Sequence, residues 1–102
     1  MNKCTCFLLI TFATVSVAAA QDGASIYKSK CVVCHGPTGA GKPAMKGTDL
    51  LSDQAKKVSD ETLANAILNG GVAKKASHTF GSKGITADQA KGLVAYIRTL
   101  QQ

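Results

Sequence analysis

Residues 31–35 read Cys-Val-Val-Cys-His (CVVCH). Two thiols three positions apart lie on the same side of a helical turn, and the adjacent imidazole follows them directly. A disulfide between Cys31 and Cys34 would close a very small loop and brace little, because loop-closure stabilisation grows with loop length. The stretch ends a helical pattern running from about Gly23 to Cys34. Ala24, Tyr27, Cys31 and Cys34 recur there at intervals of three and four, so one face carries an aromatic ring and both thiols. Asp22 is placed to cap that helix.

Upstream, the chain begins MNKCTCFLLITFATVSVAAAQ. Lys3 gives a short basic start, Phe7 to Val17 an apolar run, and Ala18-Ala19-Ala20 the small residues a signal peptidase requires. Residues 1–20 read as a cleaved export signal and residues 21–102 as one domain. The apolar run is shorter than the about 20 residues of a membrane-spanning helix, and no other span is present, so the mature chain is expected to be soluble. Cys4 and Cys6 precede most of the run, which argues against a lipid anchor at a cleavage-site cysteine. The formal charge of +6 falls to +5 when Lys3 leaves with the signal, a basic but not extreme balance.

The expected mature domain is poor in large side chains. Its aromatic residues are Tyr27, Phe80 and Tyr96, and there is no Trp. Domains this small are marginal without disulfides, a metal or another bound group. A second sign points the same way: from Gly36 to about Ser59 the text is rich in Gly and holds both prolines, and it reads as a long loop of the kind that wraps a ligand.

Two more helices are predicted. DETLANAILN at residues 60–69 has Ser59 as cap, Asp60 and Glu61 at its positive end, Leu63 and Ile67 on one face, and Gly70-Gly71 as a stop. The last begins with a capping box at Thr86-Ala87-Asp88-Gln89 and carries Leu93, Tyr96, Ile97 and Leu100 at i, i+3, i+4 and i+7 to near Gln101. No segment alternates as a strand does. The class is all-α, with three or four helices.

Against this background the motif has four readings. A thiol–disulfide oxidoreductase usually presents C-x-x-C within a βαβ pattern, which is missing. Zinc bound by Cys31, Cys34, His35 and His78 departs from the ligand spacing of structural sites, since His35 directly follows Cys34. Two ordinary buried cysteines beside a chance histidine leave the small core and the long loop unexplained. The pattern C-x-x-C-H for covalent attachment of c-type haem accounts for both: the two thiols bond one porphyrin, and the histidine presents a nitrogen to the iron.

With these residues in view, the chain from 22 to 101 resembles a small bacterial class I cytochrome c, of the c6 or c-553 type. Gly23 and Tyr27 match the glycine and aromatic of that family's first helix, and Leu93 and Tyr96 match the pair on its last. The resemblance implies three or four helices wrapped around one covalent haem. It also implies that the N- and C-terminal helices cross through Gly23, Tyr27, Leu93 and Tyr96, and that export precedes haem attachment. A large apolar group at the centre replaces the missing aromatic core.

The family departs from this chain at the second axial ligand. His35 is the proximal ligand the resemblance implies, and the distal one is usually a methionine in text similar to M-P-x-F-G. Aligning on Phe80-Gly81 puts Ser77 at that position, which offers no suitable side chain. His78, one residue on in ASHTFG, is the favoured distal ligand. Met45, the remaining methionine of the mature chain, is the rival and otherwise a packing residue, and an open iron site is the third possibility. His78 in turn has a plain alternative as an exposed loop histidine.

The expected function is a soluble, exported one-electron carrier and not an enzyme. Low-potential ligation by two histidines follows if His78 binds. The alternative is an open-site haem protein that binds small ligands or peroxide. Lys28, Lys30, Lys42, Lys46, Lys74, Lys75 and Lys83 suit acidic or membrane-bound redox partners, although each lysine alone reads as ordinary solvation. Nucleic acid is excluded by export and by the lack of a basic stripe interleaved with aromatics. The carrier is expected to be a monomer.

Overall fold

The computed structural model describes residues 22–45, 47–71 and 75–102. The export signal expected over residues 1–20 lies outside them, as do Lys46 and Lys74. Among the described residues the regular structure is helical, without strands, as the sequence pattern predicts.

The first helix, α1, spans residues 22–35 and is not uniform. Residues 22–26 are α-helical, Tyr27–Cys31 form a π-helical turn, and Val32–His35 resume the α-helix. The N–H of Val32 bonds back to the Tyr27 carbonyl, five residues away, so one extra residue is accommodated in the turn that ends at the first cysteine. Such π turns are rare and gather at functional sites. Gly36, with φ 76°, takes the chain out of the helix.

The segment 36–59 is more ordered than its composition suggests. It holds a 3₁₀ turn at Pro43–Met45 and a five-residue helix, α2, at Asp53–Lys57, both within the expected loop. Helix α2 has too few residues for a hydrophobic period, and its stability comes from its ends. Ser52 accepts the Ala55 N–H through its side chain. At the other end, Arg98 donates to the carbonyls of Ala55 and Lys56 and to that of Val58, and its Nε reaches Asp60 Oδ1 at 2.9 Å. Carbonyls left open by a helix end are satisfied here by a side chain from the last helix.

Helix α3 spans Asp60–Asn69, with Ser59 as N-cap and left-handed Gly70 as C-cap. Two 3₁₀ turns, Ala76–His78 and Phe80–Lys83, lead to α4 at Ala87–Leu100. Both halves of the expected capping box form, between Thr86 and Gln89.

Helices α1 and α4 meet where expected. A Cβ at Gly23 would overlap the Gly92 carbonyl and stand 3.0 Å from the Leu93 nitrogen, so the backbones touch. Tyr27 packs on Tyr96 with ring centres 5.2 Å apart and planes at 55°. The core is Tyr27, Ile67, Ile85, Ala90, Leu93, Val94 and Ile97, supplied by α1, α3, α4 and the residue before the last capping box. Cys31 and Val32 of the CVVCH turn pack against it, while the thiols and imidazole of that turn are only partly buried.

Candidate functional site: two facing imidazoles beside a thiol pair

The CVVCH stretch forms the last turn of α1, and the following loop folds back upon it. Lys42 N–H donates to the Cys34 carbonyl at 2.9 Å, and Gly41 N–H to the His35 carbonyl at 2.7 Å. Gly47 then lies flat on Cys34, so close that any Cβ would overlap the Cys34 carbonyl. This return brings the Thr48 carbonyl within 2.9 Å of His35 Nδ1. A carbonyl only accepts, so Nδ1 carries the proton and Nε2 keeps its lone pair.

His78 is carried to His35 by the 3₁₀ turn Ala76–His78. Its Nδ1 lies 3.0 Å from the carbonyl of Ala66, near the C-terminal end of α3. The same argument makes Nδ1 the donor here, so that the neutral ring carries its lone pair on Nε2. The two rings stand with centres 6.1 Å apart and planes at 85°.

This geometry can be tested against an iron centre. Two imidazoles bound to one metal through Nε2, each at about 2.0–2.1 Å, hold their ring centres roughly 6 Å apart. Metal-bound histidines characteristically donate the other ring N–H to a carbonyl or carboxylate, which fixes tautomer and orientation. The ring separation and the two Nδ1 ties at His35 and His78 are compatible with that arrangement. Cys31 and Cys34 are free thiols on the turn that carries His35. The residues present therefore fit a c-type haem: Cys31 and Cys34 could attach it, and His35 and His78 could offer nitrogens to its iron.

The electrostatics agree. Burial holds His35 below the ordinary histidine value; the Thr48 hydrogen bond opposes that shift and His78 adds to it. A neutral imidazole is the form that can bind a metal. Burial also pushes the Cys31 thiol up to about 11, with Cys34 adding to the rise and Lys30 opposing it. The thiolate that metal binding or disulfide exchange needs is disfavoured at Cys31. Among the described residues no three His, Cys, Asp or Glu side chains converge on one metal-sized point, which the zinc reading requires.

Met45, the rival ligand, is 49% exposed on its 3₁₀ turn. The residues that sequence reasoning missed are those acting through backbone: Thr48 and Ala66 as acceptors, and Gly47 as the close contact that delivers Thr48. A carbonyl has no sequence signature. Gly47 left one trace, as a glycine inside a stretch already marked as a ligand-wrapping loop.

An all-α chain with this thiol pair and imidazole is a small cytochrome c in class. Residues 18–97 match the family described as cytochrome c oxidase, cbb3-type, subunit III, and the chain belongs to that family. No curated protein and no solved structure matches it. A c-type haem and an electron-carrying role accompany the family's domain. Among the described residues no helix is long and apolar enough to cross a membrane.

Proposed function

We propose that the chain is an exported one-electron carrier with a single haem attached through Cys31 and Cys34, His35 on one face of the iron and His78 on the other. The observation that carries this reading is the matched pair of ring ties, His35 Nδ1 to Thr48 O at 2.9 Å and His78 Nδ1 to Ala66 O at 3.0 Å. They leave two Nε2 lone pairs on rings 6.1 Å apart.

A bound haem supplies a one-electron couple at its iron. The chain's own residues set the conditions for it. Thr48 and Ala66 hold both imidazoles in place before and after the electron moves, so little reorganisation is needed. The hydrogen bonds also make both rings more basic donors, which favours the oxidised state and a lower potential than methionine ligation gives. Filling both faces leaves no site for a substrate, which fits a carrier and not an enzyme.

Docking follows from the surface charge. Lys28, Lys30 and Lys42 are exposed on and just after α1, and Lys75 and Lys83 are exposed beside the His78 turn. Basic side chains bordering both sides of the site suit an acidic redox partner, soluble or membrane-bound, with association that slows as salt rises.

The test is the absorption spectrum of the haem-loaded protein, oxidised and reduced, for wild type and His78→Ala. Low-spin haem without the far-red methionine-to-iron band in wild type, converted to high-spin in the variant, is the expected result. An unchanged variant spectrum moves the distal site to Met45, and a high-spin wild type means an open iron.

A further inference from the structure

His78 and Phe80 lie on consecutive turns set against α3, with Phe80 at the edge of the core and Gly81 close to the Leu68 carbonyl. From Lys75 to Gly84 the backbone hydrogen bonds are local: His78 N–H to Lys75 O, Ser82 N–H to Thr79 O, Gly84 N–H to Gly81 O. On one side, Thr79, Gly81 and Ser82 border an open groove of about 960 Å³ shared with α3.

One side chain spans the two turns of this segment. Lys83 Nζ donates to the Ser77 carbonyl at 3.0 Å, one residue before His78. The same ammonium lies 5.1 Å from the centre of the Phe80 ring. Phe80 in turn meets the His78 imidazole edge to face, with centres 5.1 Å apart and planes at 73°. A cation on an aromatic face and a charge-assisted hydrogen bond to a carbonyl are both favourable, and here both come from one residue.

We propose that Lys83 is a positioning residue for the distal ligand: its ammonium straps the turn carrying His78 to the turn carrying Phe80 and so keeps the His78 imidazole directed at the iron. The inference rests on His78 being that ligand. It makes six-coordination depend on a charge outside the site. Removing the charge increases the share of molecules in which His78 has swung away and the iron face is open.

The experiment uses haem-loaded wild type, Lys83→Leu and Lys83→Arg. Leu keeps part of the apolar stem, supplies no ligand to iron and removes the cation; Arg keeps the cation. For each, the reduced protein is mixed with carbon monoxide, and the binding rate is read together with the oxidised spectrum and the thermal midpoint. Lys83→Leu is expected to bind carbon monoxide roughly fivefold faster, the factor that about 1 kcal/mol of lost strap confers. It should also gain a high-spin fraction, while Lys83→Arg stays near wild type. A plain structural role would lower the thermal midpoint without changing the binding rate. The proposal is overturned if Lys83→Leu binds at the wild-type rate, or if Lys83→Arg binds as fast as Lys83→Leu. A wild-type spectrum that is not low-spin, or one left unchanged by His78→Ala, overturns the ligand assignment itself, and is read before any Lys83 variant is made.

Discussion

The imidazole planes of His35 and His78 are nearly perpendicular, at 85°, with each ring's orientation fixed by a carbonyl from a different part of the chain. Thr48 sets one plane from the loop after the thiol pair, and Ala66 sets the other from the end of α3. Neither ring can turn without breaking its own tie.

This orientation predicts an electronic signature. Two parallel imidazoles split the iron's dπ orbitals strongly, whereas two perpendicular ones leave them nearly degenerate. The oxidised haem-loaded protein is therefore expected to give a highly anisotropic low-spin resonance with a single dominant large-g feature. Electron paramagnetic resonance at low temperature checks it. A compact rhombic spectrum would mean that the rings lie parallel in the loaded protein.

The crossing of α1 and α4 depends on a glycine that has no room to change. Gly23→Ala drives a methyl into the Gly92 carbonyl, and backbone on both sides limits relief. Overpacking of this kind costs about 1–3 kcal/mol, which in a domain of this size lowers the melting midpoint by roughly 4–8 °C per kcal/mol. Thermal unfolding of haem-loaded Gly23→Ala, with haem absorbance as probe, measures it; Ala24→Gly, one residue on, should show only the smaller loss expected for a glycine within a helix.

Much of this architecture is legible in the residues themselves. The capping box at Thr86, the Ser59 cap, the stop at Gly70 and the Leu93, Tyr96, Ile97 face give α3 and α4 their limits, because caps and periodicity are local chemistry. The crossing was readable through Gly23 and Tyr27. Its second glycine, Gly92, was visible only as a weak residue inside a strong helix, a pattern that often has a packing cause. Helix α2 was not readable: five residues carry no period, and what holds it is Arg98, about forty positions away. The π turn at Tyr27–Cys31 was also hidden, since a spacing of four fits an α-helix equally well. At the site, CVVCH and His78 stood out as side chains, while the atoms that orient both imidazoles belong to backbone and become visible only in three dimensions.

Tyr27 gives the fold an alkaline limit. Its hydroxyl donates to the Gly36 carbonyl at 2.7 Å inside the core, and burial pushes its ionisation up to about 12, with Cys31 and Tyr96 adding to the rise. The folded value is raised above the ordinary value of 10, so this contribution to stability is complete below pH 10 and is lost as pH rises through about 12. Tyr27→Phe cannot ionise there, so its stability should change less with pH between about 10 and 12. At neutral pH it should be about 1 kcal/mol less stable, from the lost hydrogen bond. Urea unfolding of both proteins across that pH range compares the slopes.

Gly47 tests whether the proximal ligand is oriented by the loop that returns to it. A side chain at residue 47 meets the Cys34 carbonyl, and the only relief is for the loop to lift away from the thiol pair. Lifting the loop withdraws the Thr48 carbonyl from His35 Nδ1, a bond of 2.9 Å, while leaving Cys31, Cys34 and His35 chemically intact. A ligand histidine that loses its carbonyl partner becomes a weaker donor to the iron, which disfavours the oxidised state. Gly47→Ala is therefore expected to attach haem, to remain low-spin through His78, and to show a more positive reduction potential than wild type. Such changes around a metal ligand commonly weaken binding by about 10–100-fold. Potentiometric titration gives the shift directly; a variant with wild-type potential and unchanged spectra would mean that the loop yields without moving Thr48, and that His35 is oriented by the helix end alone.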